Sequence, residues 1–462
     1  MKLPSYLKKN KLIFFIVLLF LVLKFLTLSI YKIVWWDAAV YIGMGKYIYS
    51  LGQIGLWEYT RPVVWPIILG FFWKIGLDTV LAGRIIEIAF GGLCILLTYK
   101  IAEKLLDKKT ALLASMFLAI SPTFFFFNGL MLTEIVSTFF ALFALCFFID
   151  KRYIISGIFF GMAFLTRFLQ LLVFISLLLV MLFSMNKKNL VDLSKVIAGF
   201  FIVLLPFLIL NQFLYNSFLF PFVQHITITK NSGWLNYQPL KFYFFELFKE
   251  NLFYLLLVFS IVLIFKGKNL NKKITAAAFL LAFIFFNLIK QKEMRFLIIL
   301  MPYMYMLISL PIIYLFDKLQ NNAYRTAFII LITLSLTYSA NNIYLYYQKE
   351  SAKTSPYAEL EGKFSDASGN IWVSSPIIAV SSDKRISRLL YYPFFDKEIK
   401  NDIAQDAENA DFIFLDLCDI GCRPNDSECE KEKINLLINF RQKLKLIYSS
   451  KNNGCDQYIF KK

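Results

Sequence analysis

The stretch Leu12-Ile13-Phe14-Phe15-Ile16-Val17-Leu18-Leu19-Phe20-Leu21-Val22-Leu23-Lys24-Phe25-Leu26-Thr27-Leu28-Ser29-Ile30, continuing through Tyr31-Lys32-Ile33-Val34-Trp35-Trp36-Asp37, decides the fold. Its first part is an apolar run broken once by Lys24. About 20 such residues in a helix cross a bilayer. The run therefore reads as a first membrane span, and Asp37 as an acid just past its outer end. That is where a lipid-borne substrate presents its headgroup, which makes Asp37 a candidate catalytic base.

Further apolar segments follow at 79–99, 111–128, 130–149, 154–168, 170–185, 195–214, 248–265, 274–289, 296–316 and 325–345. The chain is 58% hydrophobic with 51 Phe among 462 residues, too much apolar surface for a soluble domain to hide. The expected fold is a polytopic α-helical membrane protein of about eleven transmembrane helices, with a small C-terminal α/β domain. The domains are expected at 1–347 and 348–462, with an outer loop at 32–78. Val63 to Ile75 is short for a span and reads as an interfacial or re-entrant helix. Ala38 to Ser50 reads as an amphipathic helix on the outer surface. Residues 154–185 carry Thr166-Arg167 near their middle and read as two short helices meeting there.

The net charge of +18 is no nucleic-acid signal. From Gln348 onward, 17 basic residues stand against 18 acidic ones, so the excess lies in the short loops of the first part. The basic loops 100–109, 150–152, 187–188, 266–273 and 317–325 fall on the side of the Lys-rich N-terminus. By the positive-inside tendency that side is cytoplasmic, and an odd number of crossings leaves the tail outside. No cleavable signal peptide is expected. Cys94 and Cys146 lie in apolar helices. Cys418, Cys422, Cys429 and Cys455 lie in the tail, where two disulfides are expected ahead of a zinc site, with three pairings open. In the tail, Asn370–Ser375, Ala410–Leu415, Leu446–Tyr448 and Gln457–Phe460 read as strands, and Lys431–Leu444 as a helix.

The informative charges are those that topology leaves unexplained: Asp37, Glu58, Arg61, Glu134, Arg167, Lys290, Lys292, Glu293 and Arg295. Charge at the membrane is costly and marks function by default. An acid beside several Arg and Lys suits an anionic ligand such as a phosphate. Plainer readings exist for each: Arg61 and Lys290 snorkelling to headgroups, Glu58 solvated, and Glu134 serving the helix dipole with Thr133 as cap. His225 reads as an ordinary loop residue, and a His-based metal site has no second histidine. No nucleotide-binding glycine motif or hydrolase motif is present.

The order of these residues resembles a family. Trp36-Asp37-Ala38-Ala39-Val40-Tyr41 is followed by Tyr59-Thr60-Arg61-Pro62-Val63-Val64-Trp65-Pro66, then Ser121-Pro122, Leu132-Thr133-Glu134, Gly161-Met162-Ala163-Phe164-Leu165-Thr166-Arg167, and Lys292-Glu293-Met294-Arg295-Phe296 with Met301-Pro302. The series resembles the GT-C superfamily of membrane glycosyltransferases, on the branch of protein O-mannosyltransferases and the lipid A aminoarabinose transferase. The resemblance covers about residues 12–345. It implies a polyprenyl-phosphate sugar as donor, used at the outer face for an unspecified acceptor. It implies that Asp37 activates the acceptor, with Tyr41 and Arg61 beside it. Glu134 is then a second catalytic acid, and Arg167 and Arg295 hold the lipid phosphate, with Lys290 and Lys292 as further candidate substrate-binding residues by their charge. Relatives often carry a second acid where Ala38 stands, so a metal-bridging scheme finds no support in this sequence; no cofactor is certain, and a divalent metal stays open. One displacement at an activated anomeric carbon, with phosphate leaving, implies inversion. A lipid-linked saccharide transporter is the alternative. It would spread its charges through the bundle and show repeat symmetry, whereas these charges gather at one face and no repeat is visible. A sensor that presents the tail leaves them without a purpose.

Overall fold

The computed structural model describes residues 10–183, 187–232, 236–266, 270–353, 357, 363–364, 367–390, 403, 406–452 and 454–462. In chain order the helices begin with α1 (Lys11–Leu26), α2 (Trp36–Tyr49), α3 (Val64–Lys74), α4 (Thr79–Leu105), α5 (Lys108–Ala119), α6 (Pro122–Phe127), α7 (Thr133–Ile149), α8 (Tyr153–Thr166) and α9 (Gln170–Phe183). They continue with α10 (Lys187–Tyr215), α11 (Phe220–Ser232), α12 (Phe242–Glu250), α13 (Leu256–Lys266), α14 (Leu270–Leu288), α15 (Met301–Lys318), α16 (Asn322–Ser351), α17 (Ile378–Ser381) and α18 (Ser427–Lys443). Two compact units form. The first is Met1–Tyr31, Arg84–Phe218 and Gln238–Ala352; the second is Lys32–Gly83, Leu219–Tyr237 and Lys353–Lys462.

The first unit is helical and apolar. Among the described residues, Lys11–Ile30, Thr79–Leu105, Leu190–Tyr215 and Asn322–Ser351 are long and apolar enough to cross a membrane. Shorter apolar helices add Thr133–Ile149, Tyr153–Thr166, Gln170–Leu182, Leu252–Lys266 and Thr275–Leu288. This is the multi-pass helical architecture expected, although several anticipated single spans are broken in two. Pro122 lacks an N–H, and Ser121 before it is extended, so 111–128 divides into α5 and α6. The Ser121 side chain then caps α6 by accepting from the Phe124 N–H. α8 stops where Arg167 turns extended, at φ −155° and ψ 117°, and α9 begins at Gln170. The expected pair of short helices is therefore present.

The second unit is a sandwich of helices around a five-stranded sheet, β1 (Ile371–Val373), β2 (Ile386–Leu389), β3 (Phe412–Asp416), β4 (Lys445–Asn452) and β5 (Cys455–Lys461). Their order is β2-β1-β3-β5-β4. β1 pairs parallel with β2 and β3, placing Ile371 opposite Phe412; β5 pairs antiparallel with β3 and β4, placing Ile413 opposite Phe460. Alternation along β3 divides its apolar residues between two cores. Phe412 and Phe414 join Val373 and Ile459 with Val40, Met44 and Leu56. Ile413 and Leu415 join Trp372 and Phe460 with Leu436 and Phe440 of α18.

That first core corrects the reading of Ala38 to Ser50. Every residue from Ala38 to Lys46 is buried, so α2 is not an amphipathic surface helix. It is wrapped by the sheet core and by α3, which it meets at two glycines. A Cβ on Gly45 would lie 2.6 Å from the Pro66 carbonyl oxygen, and one on Gly70 would lie 2.4 Å from the Gly45 oxygen. Gly55 sits at φ +85° and bridges to the edge of β2, its N–H donating to the Lys384 oxygen at 2.9 Å. α3 has 11 residues, about 16 Å of helix, which matches a short non-spanning element. The tail cysteines form two disulfides, Cys418–Cys455 and Cys422–Cys429, which selects one of the three pairings.

Candidate functional site

The candidate residues fall into two clusters, one in each unit. In the second unit, Asp37 stands in the first turn of α2, where the helix dipole favours a carboxylate. Trp35, extended at φ −70° and ψ 153°, starts the helix just before it. Arg61 reaches back from the loop ahead of α3 and places Nη1 2.8 Å from Asp37 Oδ1. Its Nε lies 3.0 Å from Glu58 Oε1, to which the Thr60 hydroxyl also donates at 2.9 Å. Tyr41, one turn beyond Asp37 on the same helix face, puts its ring 5.9 Å from the guanidinium carbon. Arg61 thus serves two carboxylates at once.

Two expectations change here. Glu58 is not solvated: it is 8% exposed and belongs to the ion-pair network. The i,i+3 spacing of Glu58 and Arg61 was the available signal, but in a loop that spacing carries no fixed geometry. His225 is not in a loop. It lies on α11, with Nδ1 3.2 Å from the Thr60 carbonyl oxygen.

In the first unit, Glu134 is 1% exposed in the first turn of α7. Arg167 is aimed at it by the extended break between α8 and α9, with Nη1 3.2 Å from Glu134 Oε1. Arg295 approaches from the 3₁₀ turn Met294–Ile299, with Nε 3.6 Å from the same oxygen. These are charge contacts without hydrogen-bond alignment, and both Glu134 oxygens are buried with no hydrogen bond among the described residues. The Thr133 hydroxyl accepts from Arg167 Nη1 at 2.9 Å. Thr133 is therefore not a cap: Leu132 holds that position without a side-chain bond, and Thr133 is the first helical residue. Both guanidiniums lie over Phe296, 4.9 and 5.6 Å from the ring centre. Glu293, one of the charges that topology left unexplained, pairs with Arg295 Nε at 2.7 Å.

Two carboxylates and two guanidiniums make this second cluster near neutral before the lysines are added. Lys292 is buried and donates from Nζ to the Gln238 carbonyl oxygen at 3.1 Å. Lys290 is exposed, and its carbonyl accepts from Gln238 N–H at 3.0 Å. These two bonds fasten the loop 290–292 to Gln238. Among the described residues one group has metal-ligand spacing, Asp416, Cys418 and Cys455. Its two sulfurs are joined as a disulfide, so they offer no thiolates.

Comparison with known proteins follows the same lines. Residues 60–210 match the family model described as dolichyl-phosphate-mannose-protein mannosyltransferase. No curated protein matches significantly in sequence. The whole chain superposes on ArnT from Cupriavidus metallidurans bound to undecaprenyl phosphate, with TM-score 0.68 at 12% identity, covering 96% of this chain and 97% of that one. The apo ArnT structure from the same organism gives TM-score 0.62 at 11% identity, with 98% of each chain covered. The archaeal oligosaccharyltransferase AglB from Archaeoglobus fulgidus, in complex with an inhibitory peptide and a dolichol-phosphate, gives TM-score 0.59 at 13% identity, covering 89% of this chain and 70% of that one. At such identities the likeness establishes fold. The chain therefore has the fold of ArnT and AglB, and its residues 60–210 are similar to the mannosyltransferase family.

Proposed function

We propose that this protein transfers a sugar from a polyprenyl-phosphate-linked donor to an acceptor at the outer membrane face, by inverting displacement with Asp37 as the base. The observation that carries the reading is the Asp37–Arg61 pair at the start of α2, set on a GT-C fold. An acceptor hydroxyl attacks the anomeric carbon, the bond from that carbon to the phosphate oxygen breaks, and the phosphate leaves with the bonding electrons. Asp37 accepts the hydroxyl proton. Arg61 and Tyr41 hold the carboxylate in one orientation.

Arg167 and Arg295 are assigned to the donor phosphate, whose negative charge grows as the bond breaks. Lys290 and Lys292 add positive charge on the same segment as Arg295. Glu134, placed among the expected catalytic acids, keeps the two arginines together, and Glu293 occupies Arg295 until an anion competes for it. The test is mass spectrometry of lipid-linked sugars and surface glycans from cells with and without the gene. Loss of the gene is expected to remove a glycan and to accumulate its polyprenyl-phosphate sugar. Unchanged glycans together with an unchanged lipid-linked pool would overturn the reading.

A further inference from the structure

We propose that Glu87 is a positioning residue for the Arg167–Arg295 pair, acting through the turn Gly129–Leu132; this rests on the donor-phosphate role assigned to that pair. Glu87 lies on α4 and is 0% exposed. A carboxylate in such a place is costly unless its oxygens are hydrogen-bonded. Its partner is not a side chain. Lys24 is also fully buried, but its ammonium has three donors. These go to the Tyr31 hydroxyl at 2.9 Å, the Phe125 carbonyl at 2.9 Å and the Tyr347 hydroxyl at 2.8 Å.

Glu87 is satisfied by backbone. Its Oε2 accepts from the N–H groups of Gly129 at 2.9 Å and Met131 at 2.6 Å, and its Oε1 accepts from Leu132 N–H at 3.1 Å. Three donors of one short turn therefore converge on one carboxylate. The turn needs such a template. Gly129 has φ +99° and Met131 has φ +60°. A left-handed conformation is strained for a residue with a side chain, so Met131 does not choose it unaided. α4 is also cut away to receive the turn. Gly91, one helical turn after Glu87, faces Asn128 so closely that a Cβ would lie 1.6 Å from the amide nitrogen.

The turn delivers the chain into α7. Leu132, the last residue held by Glu87, is the N-cap position of α7 and makes no side-chain cap bond. Thr133 and Glu134 follow at once, and these touch Arg167 and Arg295. Glu87 thus sets where the first turn of α7 stands, and that turn sets the two guanidiniums. Nothing in this path requires Glu87 to meet a substrate.

The test is binding of undecaprenyl phosphate to the purified full chain in detergent, for the wild type, Glu87→Gln, Glu134→Gln and the double variant, with thermal unfolding of each. Glutamine has the same shape but turns one oxygen into an NH₂ that faces a backbone donor. Glu87→Gln is expected to weaken binding roughly tenfold. On the Glu134→Gln background it is expected to add little, because both changes release the same pair. Wild-type affinity in Glu87→Gln, or two effects that multiply in full, would overturn the proposal. Gly129→Ala covers the case in which Glu87→Gln does not fold. It keeps the carboxylate and all three donors, and its Cβ would meet Ile88 and Tyr31 at 3.6 Å, an ordinary contact, so only the backbone at φ +99° is strained. It is expected to weaken binding several-fold, and unchanged binding in the folded variant counts against the proposal. Failure of the wild type itself to bind undecaprenyl phosphate would remove the donor role of the pair, and the wild-type arm alone reports that outcome.

Discussion

Asp37 and Arg61 make a close ion pair in which the arginine also serves Glu58. Such an arrangement orients a carboxylate. Asp37→Asn keeps the shape and removes the base. Transfer is expected to fall by about 10²–10⁴-fold, the usual range for a general base, with lipid binding retained. Turnover of purified Asp37→Asn near that of the wild type would exclude the role. The arginines are a separate case. Arg167→Ala or Arg295→Ala is expected to cost donor affinity about 1.5–3 kcal/mol, the worth of a charged hydrogen bond. Calorimetric titration of a polyprenyl phosphate checks this, and a lowered unfolding temperature at unchanged affinity would make the arginines structural. The residues named in advance include both sides of this cluster, because charge beside an apolar run stands out in one dimension. Glu58 and Glu293 stand out as charges in the same way, but not as the partners of Arg61 and Arg295. Their partners are set by loop and 3₁₀ geometry that no regular spacing encodes.

At the level of elements, α2 and α3 depend on glycine contact. Gly45 and Gly70 bring two backbones closer than any Cβ permits. Gly45→Ala is expected to force the helices apart and to destabilise the chain by about 1–3 kcal/mol, as overpacking does. Thermal unfolding followed by size-exclusion chromatography measures it. An unfolding temperature equal to that of the wild type would mean the helices shift at no cost. The sheet supplies a pH-dependent element. Asp419 accepts from the Ser374 hydroxyl at 3.1 Å and the Tyr357 hydroxyl at 3.3 Å. Burial, and then the charge of Asp416, push its carboxyl up to about 8, against the pull of those two bonds. The folded state therefore holds a proton that the unfolded chain releases near pH 4. The resulting stability is full below about pH 4 and is lost as pH rises to about 8. The protection of β1 and β3 in the full chain, from hydrogen exchange divided by the intrinsic rate at each pH, is expected to be greater at pH 5.5 than at pH 8.5. Asp419→Asn is expected to flatten that difference, and an equal slope in the variant would assign it to another group.

For the whole molecule, the proposed chemistry depends on which side of the bilayer each unit faces. On the proposed topology Lys109 is cytoplasmic and the tail, including Lys451, lies outside. Single cysteines at these two positions are therefore expected to separate under an impermeant thiol reagent. Lys451→Cys is expected to label in intact cells, and Lys109→Cys only after permeabilisation. The reverse pattern would overturn the assigned face and with it the outward site. The native disulfides, Cys418–Cys455 and Cys422–Cys429, accord with an oxidising compartment for the tail.

The apolar runs by themselves determined the class of this protein. Long hydrophobic segments have one favourable environment, and that rule needs no knowledge of neighbours. The order Asp37, Arg61, Glu134, Arg167, Arg295 likewise carried the family resemblance, because each stands at the end of an apolar segment where its charge is visible. The tail strands at Ile371–Val373 and Phe412–Asp416 were legible from their apolar runs, while Ile386–Leu389 was not, being four residues at a sheet edge. Tertiary structure decided the rest. It buried α2 on all sides, where its sequence reads as a surface helix, because the sheet core and α3 close on it from different directions. It chose one disulfide pairing among three, gathered Arg167 and Arg295 on one carboxylate, and gave Glu87 to the backbone of a turn some forty residues away. Each of these is a contact between segments distant in the chain, and the free energy of such contacts exists only once the intervening chain has folded.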